Sequence, residues 1–225
     1  MLWSRRAANM ISRKLVLIGG GEFAREMLWV ASTLDPATVG WTAAGFIDDD
    51  VDRSRRHMST KHVSLPVLGS IQDHQPKRDE VFICAIGKPK SKLKCAELMA
   101  KRGGEFVNLI HPTAHIAPDA KIGRGLFLFI NAVISSGAEV GDHTSLNVNA
   151  SVGHDATVGE GCTISSYCDV TGNARLGTGV FMGSHASVLQ GITVGDFATI
   201  GAGSVVIRKV PPQTSVMGVP ARAIL

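Results

Sequence analysis

An aliphatic residue or methionine stands at every sixth position from Ile110 to Val206, without interruption. The seventeen positions are Ile110, Ile116, Ile122, Leu128, Ile134, Val140, Leu146, Val152, Val158, Ile164, Val170, Leu176, Met182, Val188, Val194, Ile200 and Val206. A period of six fits neither an amphipathic helix nor an alternating strand. It is typical of a parallel β-helix, in which each unit forms one short strand and one turn. Because three such units close one triangular coil, the span predicts a little over five coils without large insertions.

Small residues recur four positions after most of these aliphatic residues, and glycine often follows them directly. We expect the small side chains to share the narrow interior, which a bulky side chain would overpack. Some turns are expected to need glycine at positive φ. Cys162 and Cys168 occupy small interior positions, so we predict buried thiols rather than disulfides, which fits a reducing cytoplasm.

The charge of the chain is unevenly distributed. The net charge of +4 divides into +6 for residues 1–102 and −2 for residues 103–225. The basic half favours an anionic ligand. A single tyrosine and the lack of a recognised motif argue against nucleic acid. No apolar run is long enough to predict a membrane span.

The segment before the repeat has a different pattern, in which short apolar runs alternate with helical stretches. This alternation predicts a small parallel sheet. The predicted strands are Lys14–Ile18, Ala44–Ile47, Val81–Ile86 and Glu105–Ile110, the predicted helices are Glu22–Leu34 and Lys88–Arg102, and residues 51–62 are predicted to be a mobile loop. We therefore divide the chain into a flexible extension (1–13), a small nucleotide-binding domain (14–109) and the β-helix with its tail (110–225).

A glycine-rich turn, Gly19-x-Gly21-x-x-Ala24, follows the first strand and opens a helix. In that context backbone N–H groups can face a phosphate, although the motif alone is weak. Asp48 or Asp49, after the second strand, could bind sugar hydroxyls, or the acidic cluster could be a solvated turn. Four lysines after the third strand favour a diphosphate or form a solvated helix face: Lys88, Lys90, Lys92 and Lys94.

One histidine has the surroundings of a general base. Asp155 directly follows His154, and Gly172 stands three repeat units later, so it should lie one coil above. The imidazole could take a proton, the carboxylate could fix its tautomer, and the glycine N–H could stabilise an oxyanion. Asn147 is a further polar partner for this site and is predicted to bind the substrate. On position alone, a hydrated surface histidine is the simpler interpretation.

A zinc site is not expected. Three imidazoles would have to converge, and the spacings between His143, His154 and His185 are not close to whole coils.

Five segments resemble a known group of enzymes: LIGGGEFARE, FIDDD, NVNASVGHD, GSHASVLQGITVGDFATIGAGSVV and MGVPARAI. They are similar to the bacterial sugar acetyltransferases of the sialic acid O-acetyltransferase group. That group includes UDP-4-amino-sugar and GDP-perosamine N-acetyltransferases. The resemblance extends over nearly all of 14–225. It implies a Rossmann-like domain followed by a left-handed β-helix, a homotrimer, acetyl-CoA as co-substrate and active sites between subunits.

The resemblance also implies roles for individual residues. His154 corresponds to the general base, Asp155 to its partner, and Gly172 to the amide that meets the thioester carbonyl. Thr163, Gly172, Ser184 and Ala202 correspond to acetyl-CoA-binding positions. The positions implied for the sugar substrate are Gly21, Glu22, Phe23, Asp48, Asp49 and Gly87.

These observations predict a cytoplasmic, homotrimeric, metal-independent acetyltransferase that uses acetyl-CoA. Its predicted reaction is N-acetylation of a nucleotide-linked 4-amino sugar for surface glycan synthesis. Two alternatives remain: O-acetylation of a sialic acid-type sugar, and a non-catalytic β-helix that serves as a binding or assembly module.

Overall fold

The computed structural model describes residues 13–52, 54 and 65–224. The predicted extension 1–13 lies outside this range except for Arg13, which begins the first strand, and most of the predicted loop 51–62 also lies outside it. An α/β domain is followed by a parallel β-helix. Within the described residues, no helix combines the length and apolarity needed to cross a membrane.

The α/β domain is a four-stranded parallel sheet with helices. Its strands are β1 (Arg13–Ile18), β2 (Trp41–Ile47), β3 (Val67–Gly69) and β4 (Glu80–Cys84), in the order β3-β2-β1-β4. Its helices with both ends described are α1 (Glu22–Ser32), α2 (Pro36–Val39) and α3 (Pro89–Lys101). Residues 51, 52 and 54, at the start of the predicted loop, are also helical. The carboxyl ends of parallel strands form one edge, where ligands of open α/β sheets bind.

The predicted strand Glu105–Ile110 is shorter in the structure. Phe82 forms a single bridge with Phe106, and the regular strand begins only at Leu109. The predicted strand Val81–Ile86 ends early at Cys84, because the next residues turn toward α3.

The β-helix consists of short strands on three faces, and each strand pairs in parallel with the equivalent strand of the next coil. Face A contains β5 (Leu109–Ile110), β8 (Phe127–Leu128), β11 (Ser145–Leu146), β14 (Thr163–Ile164), β17 (Phe181–Met182), β20 (Thr199–Ile200), β22 (Ser215–Gly218) and, paired antiparallel with β22 at the end of the chain, β23 (Ala221–Ala223). Face B contains β6 (His115–Ile116), β9 (Val133–Ile134), β12 (Ser151–Val152), β15 (Asp169–Val170), β18 (Ser187–Val188) and β21 (Val205–Val206). Face C contains β7 (Lys121–Ile122), β10 (Glu139–Val140), β13 (Thr157–Val158), β16 (Arg175–Leu176) and β19 (Thr193–Val194).

The strands recur at every sixth position without insertion from 109 to 206, so the predicted left-handed β-helix is confirmed. The repeated aliphatic residue is the second of each strand and points into the core. From Leu128 onward it is at most 3 % exposed. Cys162 and Cys168 are buried free thiols, as predicted.

Turn glycines at positive φ are present as expected, but they are not the glycines that directly follow the aliphatic residue. Positive φ occurs three positions after the aliphatic residue, at Gly137 and Gly161 for example. At Gly141 and Gly153, an added Cβ would lie 2.7 Å from backbone nitrogen of the next coil. These glycines are therefore required for the close approach of successive coils.

The α/β domain packs on face A. The outward side chains of its first four strands, Leu109, Phe127, Ser145 and Thr163, are all buried. Phe23 of α1 meets Phe127 edge-on, with 5.4 Å between ring centroids. The carboxyl edge of the sheet therefore faces the β-helix.

Candidate functional site

The His154–Asp155 pair lies in the turn after β12. The Asp155 N–H donates to the Ser136 carbonyl at 3.0 Å, and the residue adopts φ +56°, a conformation that aspartate tolerates better than most residues. His154 Nδ1 lies 3.0 Å from Asp155 Oδ2, and the side chains are 59 % and 62 % exposed. With the Nδ1 proton held by the carboxylate, Nε2 has its lone pair free to accept a proton.

Gly172 lies one coil above His154. The Asn173 N–H donates to the His154 carbonyl at 2.9 Å, which places the two turns in register. A Cβ on Gly172 would lie 2.4 Å from His154 Nε2 and 2.6 Å from Cε1. The imidazole therefore covers Gly172, and glycine is required for this placement. Within the described residues, the Gly172 N–H has no hydrogen-bond partner.

A cavity of about 720 Å³ lies between the α/β domain and the β-helix. Phe181 of β17 contributes from face A. All six residues implied as substrate contacts in the α/β domain line it: Gly21, Glu22, Phe23, Asp48, Asp49 and Gly87. They come from three different loops, which the parallel sheet brings to one edge.

The two aspartates that line this cavity accept backbone hydrogen bonds, and Asp48 holds the glycine-rich turn. Asp48 accepts hydrogen bonds from the N–H groups of Gly20 (2.6 Å) and Asp50 (2.9 Å). Asp49 Oδ1 accepts from the Gln72 N–H at 3.0 Å. The Gly20 amide is thus engaged by a carboxylate, so the expectation that the turn's N–H groups face a phosphate does not hold at Gly20.

Two helix N-termini border the same cavity. α1 begins after its N-cap residue Gly21 and α3 after its N-cap residue Lys88, and neither N-cap side chain accepts a hydrogen bond from the backbone N–H groups of its helix. Both Gly21 and Lys88 line the cavity. Helix N-termini carry partial positive charge and bind anions, so this cavity suits a phosphorylated ligand.

The comparisons with known proteins agree with this architecture. Residues 14–99 match the family described as the PglD N-terminal domain. PerB from Caulobacter crescentus, in complex with CoA and GDP-perosamine, is 27 % identical, with a TM-score of 0.81 over 94 % of this chain and 97 % of that chain. The acetyltransferase domain of PglB from Neisseria gonorrhoeae FA1090, in complex with acetyl coenzyme A, is 28 % identical, with a TM-score of 0.82 over 95 % and 100 %. A search of curated proteins finds no match.

The chain is an acyltransferase. It is similar to the bacterial sugar acetyltransferases of the hexapeptide-repeat group. The resemblance stated from the sequence is thereby confirmed. WeeI from Acinetobacter baumannii AYE, at 24 % identity and a TM-score of 0.79 over 93 % and 99 %, shares the fold.

The residues implied for acetyl-CoA lie in two different settings. Ser184 and Ala202 are exposed on successive coils, and the Gly203 N–H donates to the Ser184 carbonyl at 2.9 Å. Thr163 is buried under the α/β domain, where its hydroxyl donates to the Gly87 carbonyl at 2.8 Å. Contact of any of these with acetyl-CoA stays a prediction.

Asn147, also predicted to bind the substrate, is not among the residues that line the cavity. Its Oδ1 is buried and has no hydrogen-bond partner among the described residues.

In the turns that follow the strands of face A, the rings of Tyr167 and His185 stack with centroids 4.8 Å apart. The motifs of the sequence do not single out this pair, although the two positions are three repeat units apart and so occupy successive coils.

The four lysines of the basic segment have different surroundings. Lys88 and Lys94 line the cavity, whereas Lys90 lies over the Phe197 ring with its Nζ 5.6 Å from the centroid. Lys92 is buried. The hypothesis that all four attract a diphosphate is therefore wrong for Lys92. Lys90 is exposed but is not among the residues that line the cavity.

Proposed function

We propose that this acyltransferase moves the acetyl group of acetyl-CoA to the amine of a nucleotide-linked 4-amino sugar, a precursor of surface glycan. The observation that supports this best is the convergence of six substrate-type residues and two helix N-termini on one cavity. PerB, whose structure holds CoA and GDP-perosamine, has the same fold over nearly its whole length.

The reaction proposed at His154, Asp155 and Gly172 is direct acyl transfer. The sugar amine attacks the thioester carbonyl, His154 Nε2 takes the amine proton, and the CoA thiolate leaves and is protonated. Asp155 holds the Nδ1 proton and stabilises the imidazolium that forms. The free Gly172 N–H can donate to the oxyanion of the tetrahedral intermediate.

A single chain does not bring its cavity and its base together, because neither His154 nor Asp155 is among the cavity-lining residues. We propose that a homotrimer completes the site between subunits. Light scattering at micromolar concentration should then give three times the chain mass of 23.8 kDa. A protein that remains monomeric under these conditions would contradict the proposal.

The proposal assigns the sugar nucleotide to the cavity and acetyl-CoA to the β-helix. Replacing Asp48 or Asp49 with alanine should therefore raise the KM for the sugar substrate. Asp48→Ala also removes the acceptor for the Gly20 N–H and loosens the turn. The KM for acetyl-CoA and kcat should remain nearly unchanged, as expected for a loss of uniform binding. Steady-state kinetics with each substrate varied in turn measures this.

Asp73→Ala is a suitable control for the aspartate variants, because Asp73 is exposed and bonds only locally to Ser70 in the described structure. If both Asp48→Ala and Asp49→Ala weaken acetyl-CoA instead, or neither affects the sugar, the division of labour is wrong.

One experiment tests the proposed function as a whole. Acetyl-CoA and a panel of UDP-, GDP- and dTDP-linked 4-amino sugars should yield CoA and an N-acetylated sugar with at least one member. Acetylation of a sialic acid-type sugar alone would favour the O-acetyltransferase alternative. Absence of CoA release with every acceptor would favour the non-catalytic module.

A further inference from the structure

Lys92 is 1 % exposed where α3 packs on face A. Its Nζ donates to the Cys162 carbonyl oxygen at 2.9 Å and to Ser145 Oγ at 3.1 Å. The contact joins the α/β domain to two successive coils of the β-helix. Lysine is almost never fully buried unless it is paired, and the partners here are neutral oxygens.

This burial opposes folding. It lowers the pKa of Lys92 from 10.5 to about 8, although the nearby Cys162 and Cys84 thiols raise it. The unfolded chain therefore binds more protons between pH 8 and 10.5. The resulting cost to stability is fully present below pH 8 and disappears above 10.5. The Cys162 carbonyl oxygen has another donor, since it also accepts the Ser145 N–H at 2.9 Å.

A buried charge that opposes folding is a poor source of stability, because nonpolar replacements at such sites are often neutral or stabilising. The effect of the Lys92 contact is instead on the position of α3. The Lys92 N–H donates to the Lys88 carbonyl at 2.9 Å, so Lys92 belongs to the first turn of the helix whose N-terminus borders the cavity.

The β-helix side of this contact leads directly to the cavity. Ser145, Thr163 and Phe181 are paired neighbours on successive strands of face A. Ser145 accepts from Lys92, Thr163 donates to the Gly87 carbonyl, and Phe181 lines the cavity. The contacts of Ser145 on β11 and Thr163 on β14 thus determine how far Gly87 lies from Phe181 on β17.

We propose that Lys92 is a positioning residue for substrate binding: its bonds to Cys162 and Ser145 hold the α3 N-terminus and Gly87 at a fixed distance from Phe181 and so determine the width of the cavity. The inference rests on the proposed function, in which that cavity holds the sugar nucleotide. It assigns Lys92 no contact with substrate.

The test is Lys92→Met, which keeps the length and apolar stem of the side chain but removes its donors. The KM for the sugar nucleotide should rise roughly ten- to hundredfold, which corresponds to a loss of about 1.4 to 2.8 kcal/mol of binding free energy. The KM for acetyl-CoA and kcat should change little, and the melting temperature should be equal or higher. The matched control is Lys101→Met on the same helix, an exposed residue paired with Glu97, which should leave all of these values unchanged.

Thr163→Val gives a second test that preserves shape and does not depend on how Lys92→Met folds. Loss of the bond to Gly87 should raise the sugar-nucleotide KM severalfold. A rise in the acetyl-CoA KM alone would show that the hydroxyl serves the co-substrate, and it would overturn this account of the contact.

Calorimetric titration with UDP, GDP and dTDP separates failure of the inference from failure of the proposed function. If wild-type protein binds none of them, the assignment of the cavity to a nucleotide is wrong. If it binds one of them and Lys92→Met binds that probe equally well, Lys92 has no positioning role. A lowered melting temperature with unchanged nucleotide affinity would make Lys92 a stabilising residue only.

Discussion

Replacing His154 with alanine is expected to lower turnover by a factor on the order of 10² to 10⁴, the usual contribution of a positioned general base. The reason is geometric: Nδ1 is engaged by Asp155, so Nε2 is the atom that can take the proton of the acceptor amine. Folding should be nearly unaffected, because the side chain is 59 % exposed. Initial rates of CoA release, measured alongside thermal unfolding, test both statements.

Two further variants make this result specific. Asp155→Asn should lower turnover less than His154→Ala, because the carboxylate orients the imidazole and does not transfer the proton itself. His115→Ala provides the control, since His115 is another exposed histidine of the β-helix, on β6. A His154→Ala protein with near-normal turnover on its true substrate would end the proposed mechanism.

The β-helix and the placement of Gly172 beside His154 were predictable from the sequence. In a six-residue repeat with three units per coil, residues 18 positions apart lie next to each other in successive coils. A coil of three units places Gly172 above His154 by counting alone, and the hydrogen bond between Asn173 and His154 agrees with it. The same arithmetic pairs Ser184 with Ala202. What the period does not reveal is the orientation of the imidazole over the glycine, which depends on side-chain conformation.

The α/β domain was less predictable from its sequence. Helix α2 is only four residues long, yet its ends carry clear signals: Asp35 accepts the Ala37 N–H, Pro36 is the first helical residue, and Gly40 adopts φ +74° after the last. These signals are present in the sequence, but a single helical turn is too short to show a hydrophobic period. Similarly, β3 is a three-residue edge strand without a distinct hydrophobic pattern.

The different surroundings of the lysines could not be inferred from their spacing. Lys88, Lys90, Lys92 and Lys94 alternate along the chain, but a helix turns them toward different sides, and the docking of α3 on face A decides which side is buried. That docking depends on Leu93 fitting against Gly161, where an added Cβ would lie 2.5 Å from the leucine side chain. Such a fit between domains leaves no local pattern in the amino-acid sequence.

Replacing Gly172 with alanine should reduce turnover nearly as much as loss of the base. The new methyl group would occupy the place of the imidazole, 2.4 Å from Nε2. The ring would have to swing away and give up its bond to Asp155. Because the backbone of Gly172 is not in the left-handed region and the displaced ring is exposed, the melting temperature should change little. Alanine keeps the backbone N–H, so an oxyanion role alone would predict nearly normal turnover.

The decisive form of this experiment combines the two substitutions. If Gly172→Ala acts by displacing the imidazole, it has nothing left to displace in a His154→Ala background, and the double variant should be no slower than His154→Ala alone. Effects that act through one group fail to add, whereas independent effects add in free energy. A double variant slower by the product of the two single effects would show that the methyl group obstructs the acyl donor or acceptor itself. The placement of His154 over Gly172 would then have no part in the loss of activity.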